Sequence, residues 1–273
     1  NGAIFNRDAS KFIHTYSDEN TPPKYVIRES KNGALIRKII DNEFLKNKLS
    51  KYNLPKKEFS TINLNGQNLN YYIIKPKNFK SSKKYPLLLF QYSGPGSQQV
   101  SNRWGNNRDL WHKMLTQKGY FIACLDGRGT GYKGEKFKKM TYMNLGELET
   151  QDQISFAKNI SLLPYIDQDR TGIWGWSYGG HMATHSLFLG NEVFEMAIAV
   201  APVTNWRFYD TIYTERFMRT PQENPDGYDN NSPINYVDRL QGRYLLIHGS
   251  GDDNVHVQNS MRLINALIEE GKQ

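Results

Sequence analysis

The residues best suited to chemistry lie in the segment Gly175-Trp176-Ser177-Tyr178-Gly179, where a serine has the spacing G-x-S-x-G. The segment follows the apolar run TGIWGW and opens a helical pattern from about Tyr178 to Leu189. A serine in a tight turn between a buried strand and a helix is typical of a nucleophile elbow. Ser177 is therefore a candidate nucleophile, and the backbone N–H of Tyr178 is a candidate oxyanion donor. The alternative is a glycine-rich turn with an incidental serine.

A serine nucleophile needs a base that takes its proton and an acid that orients the base. In α/β-hydrolases the acid and then the histidine follow the serine along the chain. The apolar run RYLLIHG leads into Asp252 and Asp253. Asp252 is the better candidate because it is nearer the strand, although the pair could also cap and begin a helix. No histidine can be assigned as the base: His248 is expected to be a hydrogen-bonded core residue, and His256 is too close to Asp252 in sequence.

Strands and helices that could position these residues alternate from Tyr85 onward. The runs YPLLLFQY, YFIACLD, MAIAVAP and RYLLIHG are of the kind that strands buried on both faces require. Helical patterns separate them, one over 147–161, and VQNSMRLINALIEEG predicts a closing helix. This alternation predicts a mostly parallel sheet with helices on both faces, which is an α/β fold.

The first part of the chain has a different pattern. Residues 1–40 contain short alternating β segments, and residues 42–53 have leucines at helical spacing before Pro55. Two further strands, FSTINL and NLNYYIIK, are joined by Asn65-Gly66, which predicts a hairpin.

Composition excludes several classes of protein and site. The 273 residues carry a net charge of +8, but the lysines alternate with Asn, Ser and Pro and accompany no nucleic-acid-binding motif. The mean hydropathy of −0.68, with no apolar run approaching ~18 residues, argues against a membrane span. The single Cys124 excludes an internal disulfide and a cysteine-ligated zinc site. No metal-ligand spacing such as H-E-x-x-H is present, so neither a metal nor a cofactor is expected.

Four motifs occur together: GWSYGG around Ser177, DGRGTGY at 126–132, APVTNWRFYDTIYTERFM at 201–218 and LLIHGSGDDNVHVQ at 245–258. Together they resemble the prolyl oligopeptidase family of serine peptidases, in the dipeptidyl peptidase IV branch and a bacterial form. The resemblance covers essentially the whole chain. It implies that residues 1–40 end an N-terminal β-propeller, that 41–57 form a linker helix and that 58–273 form an α/β-hydrolase catalytic domain.

The resemblance also implies roles for matching positions. Ser177 would be the nucleophile, Asp252 the acid of the triad, and the Tyr92 hydroxyl the second oxyanion donor beside the Tyr178 amide. Asn254 would bind the carbonyl of the first substrate residue. The pocket for the residue before the scissile bond would be lined by Tyr178, Val203, Trp206, Tyr209, Tyr213 and Val255. Spacing alone instead favours one buried helix face for the aromatic members of the 206–213 segment, at i, i+3 and i+7.

The implied activity is that of a serine exopeptidase that releases X-Pro or X-Ala dipeptides from peptide N-termini through an acyl-enzyme. A tripeptidyl peptidase, an oligopeptidase or an esterase of the same fold is the alternative, and an inactive binding or scaffold module is another. The resemblance implies that the catalytic histidine lies beyond Gln273, so residues 1–273 alone would be nearly inactive. It further implies a periplasmic, cell-surface or secreted location, often as a homodimer.

Overall fold

The computed structural model describes residues 2–105 and 107–272, and the chain divides into two compact units. The smaller unit consists of Asn1–Lys57, Ile74–Lys77 and Ser101–Lys118. The larger unit consists of Glu58–Ile73, Asn78–Val100 and Gly119–Gln273.

The smaller unit contains a four-stranded antiparallel sheet whose strands follow one another in chain order. Short alternating segments separated by turns form such a meander because each strand pairs with the next. The strands are β1 (Gly2–Phe5), β2 (Lys11–Asp18), β3 (Thr21–Glu29) and β4 (Leu35–Ile40). Two helices belong to the same unit, α1 (Glu43–Ser50) and α2 (Asn107–Gln117).

A seven-stranded sheet forms the framework of the larger unit. Its strands are β5 (Glu58–Leu64), β6 (Gln67–Ile74), β7 (Tyr85–Phe90), β8 (Phe121–Asp126), β9 (Ile166–Trp176), β10 (Met196–Val200) and β11 (Arg243–Ile247). Across the sheet they are ordered β11-β10-β9-β7-β8-β6-β5. Strands β5 and β6 form the predicted antiparallel hairpin, with positive φ at both Asn65 and Gly66. The pairs β7–β8, β7–β9, β9–β10 and β10–β11 are parallel.

Helices alternate with the parallel strands, which confirms the predicted α/β architecture. The predicted helices over 147–161 and 178–189 have those bounds in the structure. The helices are α3 (Glu135–Lys138), α4 (Glu147–Ser161), α5 (Tyr178–Leu189), α6 (Thr211–Met218), α7 (Pro225–Asn230) and α8 (Gln258–Glu269). No helix among the described residues is long and apolar enough to cross a membrane.

The core of the larger unit lies around the central strands. Every residue of β8 is buried, as a strand covered on both faces requires. Strand β7 ends two residues before Tyr92, and β9 ends one residue before Ser177. Because carboxyl ends of parallel neighbours meet at one edge of a sheet, this topology brings the two side chains together.

Candidate active site

Ser177 lies in the tight turn between β9 and α5, as its motif predicts. Its backbone has φ 60° and ψ −118°, a conformation that side-chain-bearing residues rarely adopt and that costs on the order of 1–3 kcal/mol. Its N–H donates to the carbonyl of Val200 at 2.8 Å, which fixes the turn against β10. A backbone strained in this way presents the serine side chain outward from the edge of the sheet.

The two glycines of the motif are required by close backbone contacts. A Cβ atom on Gly175 would lie 2.4 Å from the carbonyl oxygen of Gly179, and one on Gly179 would lie 2.6 Å from the carbonyl oxygen of Gln91. The Gln91 side chain also donates to the Gly179 carbonyl at 2.7 Å. The end of β9 and the start of α5 therefore approach each other as closely as their backbones allow.

Tyr92 lies beside the elbow, and its hydroxyl shares a hydrogen bond with the Ser177 side chain. Burial raises the pKa of the Tyr92 hydroxyl, and the bond with Ser177 offsets part of that rise. The phenol therefore stays protonated at neutral pH and can donate a hydrogen bond. Its ring centroid is 6.0 Å from that of Tyr178, at the edge of an aromatic cluster.

Four of the six predicted pocket residues belong to one buried apolar cluster, and the other two pack against it together with Tyr92. Rings of Tyr178 and Trp206 lie 5.5 Å apart, and those of Tyr209 and Tyr213 meet edge to face at 5.4 Å. Such tilted contacts fix aromatic rings relative to one another. Four members are buried, namely Tyr178, Val203, Trp206 and Val255, whereas Tyr209 and Tyr213 are partly exposed.

The aromatic residues of the 206–213 segment do not share one helix face, so the interpretation from spacing alone is wrong. Trp206 begins a short 3₁₀ helix that ends at Phe208, and Tyr209 is extended. Asp210 then caps α6 by accepting the N–H of Tyr213 at 2.8 Å. The Asp210 cap interrupts the helical spacing and turns Tyr209 and Tyr213 toward the same cluster from different elements.

Asp252 and Asn254 lie in the loop after β11. One oxygen of Asp252 accepts the N–H groups of Asn254 at 3.0 Å and Val255 at 2.9 Å, and the carboxylate therefore shapes this loop. Helix α8 begins only at Gln258, so the alternative in which the aspartate pair starts the helix is wrong. The side-chain oxygen of Asn254 accepts the Tyr209 hydroxyl at 2.8 Å, which links the loop to the aromatic cluster.

The histidines of the larger unit occupy distinct environments. His248 is hydrogen bonded through both ring nitrogens, to Ser260 Oγ at 2.6 Å and to the Val255 carbonyl at 2.7 Å, which confirms the expected core role. Burial lowers the pKa of His181 to about 4 and that of His185 well below its usual range.

Sequence analysis missed Glu149, a fully buried carboxylate in the first turn of α4. The Tyr178 hydroxyl donates to its Oε1 at 2.7 Å, and the N–H of Gly146 donates to its Oε2 at 3.0 Å. Burial raises the pKa of Glu149 to about 7. A glutamate three residues after a helix N-cap is the spacing of a capping box, which was visible in the sequence, but that pattern does not indicate a tyrosine partner.

In the part of the chain that the structure describes, no three His, Cys, Asp or Glu side chains come together in a way that could hold a metal ion.

Comparisons with known proteins agree with this architecture. The structure superposes on the crystal structure of Porphyromonas gingivalis dipeptidyl peptidase 4 with a TM-score of 0.96 and 46% identity, covering 100% of this chain and 38% of that one. In sequence, the chain is 43% identical over 266 residues to a protein of Neurospora crassa named "Probable dipeptidyl-aminopeptidase B". That alignment covers 96% of this chain and 29% of the fungal protein, so this chain spans between 29% and 38% of the length of these two relatives.

The family comparison concerns the segment that carries Ser177 and the aromatic cluster. The model of the prolyl oligopeptidase family matches residues 107–273, which is more than half of the chain. The α/β sheet with its helices is the hydrolase fold that the motifs implied, and the similarity to dipeptidyl peptidases extends over the whole chain. The chain therefore belongs to the prolyl oligopeptidase family of peptidases.

Proposed function

We propose that this chain is the catalytic part of a serine dipeptidyl peptidase that releases X-Pro or X-Ala dipeptides from peptide N-termini. Ser177 attacks the carbonyl carbon of the second residue, the scissile C–N bond breaks, and the rest of the peptide leaves as an amine. Water then hydrolyses the dipeptidyl acyl-enzyme and releases the dipeptide. Asp252 is the acid of the triad. The Tyr92 hydroxyl and the Tyr178 amide stabilise the oxyanion that develops on the attacked carbonyl.

One observation carries this proposal: the strained serine and the Tyr92 hydroxyl bonded to it lie beside an apolar, mainly aromatic cluster. A proline ring is rigid and apolar, so it suits a shallow pocket with aromatic walls. The pocket in the proposal is formed by Tyr178, Val203, Trp206, Tyr209, Tyr213 and Val255. The names of the bacterial and fungal relatives support the same reaction.

Asn254 is proposed to bind the carbonyl of the first substrate residue. Its side-chain oxygen already accepts the Tyr209 hydroxyl. A bond to a substrate carbonyl therefore comes from its amide nitrogen, which is a donor.

The general base is proposed to come from outside residues 1–273, so this stretch alone is nearly inactive. Among described histidines of the larger unit, His181 and His185 are buried with lowered pKa, and His248 uses both ring nitrogens. His256 follows Asp252 too closely to face it across a substrate. Loss of a triad member costs ~10⁴ to 10⁶ in turnover.

The domain division is part of the proposal. Residues 1–40 form an antiparallel sheet that fits the last blade of a propeller, 41–57 the linker helix, and 58–273 the catalytic domain. By resemblance, the whole protein acts outside the cytoplasm, in the periplasm, at the cell surface or secreted, as a homodimer.

The test uses the full-length product of the gene that encodes this chain. Cleavage of Gly-Pro-p-nitroanilide is compared with cleavage of its N-acetylated form, and Ser177→Ala is the control for both. A dipeptidyl peptidase cleaves only the substrate with the free amine, and the alanine variant cleaves neither. Equal cleavage of both substrates favours an oligopeptidase. Cleavage of neither, while an ester is hydrolysed, favours an esterase, and inactivity toward all three favours a binding module.

A further inference from the structure

Glu149 has no exposed surface. The neighbouring Asp152, whose charge also raises the pKa of Glu149, is itself paired with Arg128 at 2.8 Å. Burying a carboxylate is costly, and proteins keep such a group where hydrogen bonds compensate the cost. Each oxygen of Glu149 accepts one such bond, from the Tyr178 hydroxyl and from the Gly146 N–H.

Helix capping does not explain the carboxylate. The bond from Gly146 starts α4, and a glutamine at the same position would accept it without burying an acid. The second bond is different, because a hydroxyl donates more strongly to a charged oxygen than to a neutral amide. The bond from the Tyr178 hydroxyl, which a carboxylate accepts more strongly than an amide does, therefore explains why this position holds an acid.

The start of α4 also holds the second aromatic wall of the pocket. The indole N–H of Trp206 donates to the carbonyl of Leu145 at 3.1 Å, four residues before Glu149. One short segment thus fixes the rings of Tyr178 and Trp206, whose centroids are 5.5 Å apart. The segment touches these rings from behind, since Leu145 and Glu149 are both fully buried.

We propose that Glu149 is a positioning residue that fixes the Tyr178 ring and thereby sets the width of the pocket for the second substrate residue. This inference rests on the proposed dipeptidyl peptidase function. The pocket held at this width favours a proline ring over the smaller alanine side chain. Without the carboxylate, the Tyr178 ring rotates away from Trp206 and the preference for proline falls.

The experiment measures kcat/KM for Gly-Pro-p-nitroanilide and Gly-Ala-p-nitroanilide in the full-length gene product. Glu149→Leu removes both acceptors, and we expect the ratio of the two values to fall about tenfold. Glu149→Gln offers one neutral acceptor oxygen to two donors, so we expect a ratio between those of the parent and of Glu149→Leu. Tyr178→Phe keeps the ring without the hydroxyl and lowers the ratio to a similar extent. Adding Glu149→Leu to Tyr178→Phe changes it no further than about twofold, because both act through one bond.

A matched control separates positioning from loss of helix stability. Phe156 is buried on the same helix and packs against Tyr71 at 5.3 Å between ring centroids. Phe156→Leu is expected to lower the melting temperature with an unchanged ratio. If Glu149→Leu does not fold, the ratios of Glu149→Gln and Tyr178→Phe decide the question.

The outcomes distinguish this inference from the function on which it rests. A wild-type protein that cleaves neither substrate overturns both. A wild-type protein that prefers proline, with the same preference in Glu149→Leu and Tyr178→Phe, overturns only the role of Glu149. Independent, additive effects of the two substitutions also overturn it, because Glu149 would then act by another route.

Discussion

At the residue scale, the strain at Ser177 is a cost that a non-catalytic residue could avoid. Glycine adopts φ 60° with ψ −118° without a clash of Cβ, whereas alanine retains the clash. We expect Ser177→Gly to be more stable than Ser177→Ala by about 1 kcal/mol, because relief of strain exceeds the extra flexibility of glycine in the unfolded chain. Urea unfolding midpoints of both inactive variants measure the difference.

The comparison of Ser177→Gly with Ser177→Ala removes the hydroxyl from both proteins, so loss of its hydrogen bond with Tyr92 cancels. Equal stabilities, or a more stable alanine variant, would show that the elbow stores no strain in the folded protein.

The position of an individual residue can be predicted from sequence where a short motif requires one residue type at a fixed spacing. The position of Ser177 in a strand–helix turn is predicted by G-x-S-x-G, and that of Asp252 in a loop by the apolar run before it. The strand formed by that run, β11, is half exposed and not buried on both faces as its sequence predicts. Glu149 was not predictable, because its partner Tyr178 lies 29 positions away and meets it only through the packing of α4 against α5. A contact made by tertiary packing leaves no local pattern.

At the element scale, the junction of β9 with α5 depends on glycine at position 175. A Cβ atom there would lie 2.4 Å from the backbone oxygen of Gly179, and a backbone atom cannot swing aside as a side chain can. We expect Gly175→Ala to lower the free energy of unfolding by about 1–3 kcal/mol and to displace Ser177, with loss of activity. Urea unfolding and peptidase assays measure the two effects.

Gly249 provides the matched control for the same substitution. It follows β11, and a Cβ atom there would meet nothing within 4 Å. Gly249→Ala should therefore leave stability within about 0.5 kcal/mol of the parent. A Gly175→Ala protein as stable and active as the Gly249→Ala protein would contradict the packing argument.

The elements were largely predictable because their signals are local. The Asn65-Gly66 turn, the apolar strands and the helices over 147–161 and 178–189 follow from spacing and turn residues. The 206–213 segment was not predictable from spacing alone, because the i, i+3, i+7 pattern ignores the cap that Asp210 supplies. Periodicity fails where a capping side chain begins a new helix within the repeating pattern.

At the scale of the whole molecule, burial keeps two histidines of a positively charged chain uncharged. The chain carries +8 overall, yet the larger unit buries neutral histidines beneath the aromatic cluster. The ring of His181 contacts those of Trp206 at 4.9 Å and Tyr178 at 5.7 Å, and its Nδ1 bonds the Val203 carbonyl at 3.0 Å. His185 lies behind it, beside Thr150 and Tyr236. Protonation of either ring would place a cation in the core that supports the pocket.

Acid should therefore destabilise this unit through His181 and His185. Burial lowers the pKa of His181 from 6.5 to about 4, so the unfolded chain binds more protons than the folded one between these values. The stability is present above pH 6.5 and is lost as pH falls toward 4, by about 2 kcal/mol for His181 between pH 7 and pH 5. The lowered pKa of His185 acts in the same direction. Glu149 works in the opposite direction, because burial raises its pKa to about 7.

The double variant His181→Asn, His185→Asn keeps Glu149, so its difference from the parent isolates the histidines. Its loss of stability between pH 7 and pH 5, followed by urea unfolding, should be smaller than the parent's by about 2 kcal/mol or more. An identical pH dependence in the double variant and the parent would mean that other groups drive acid unfolding.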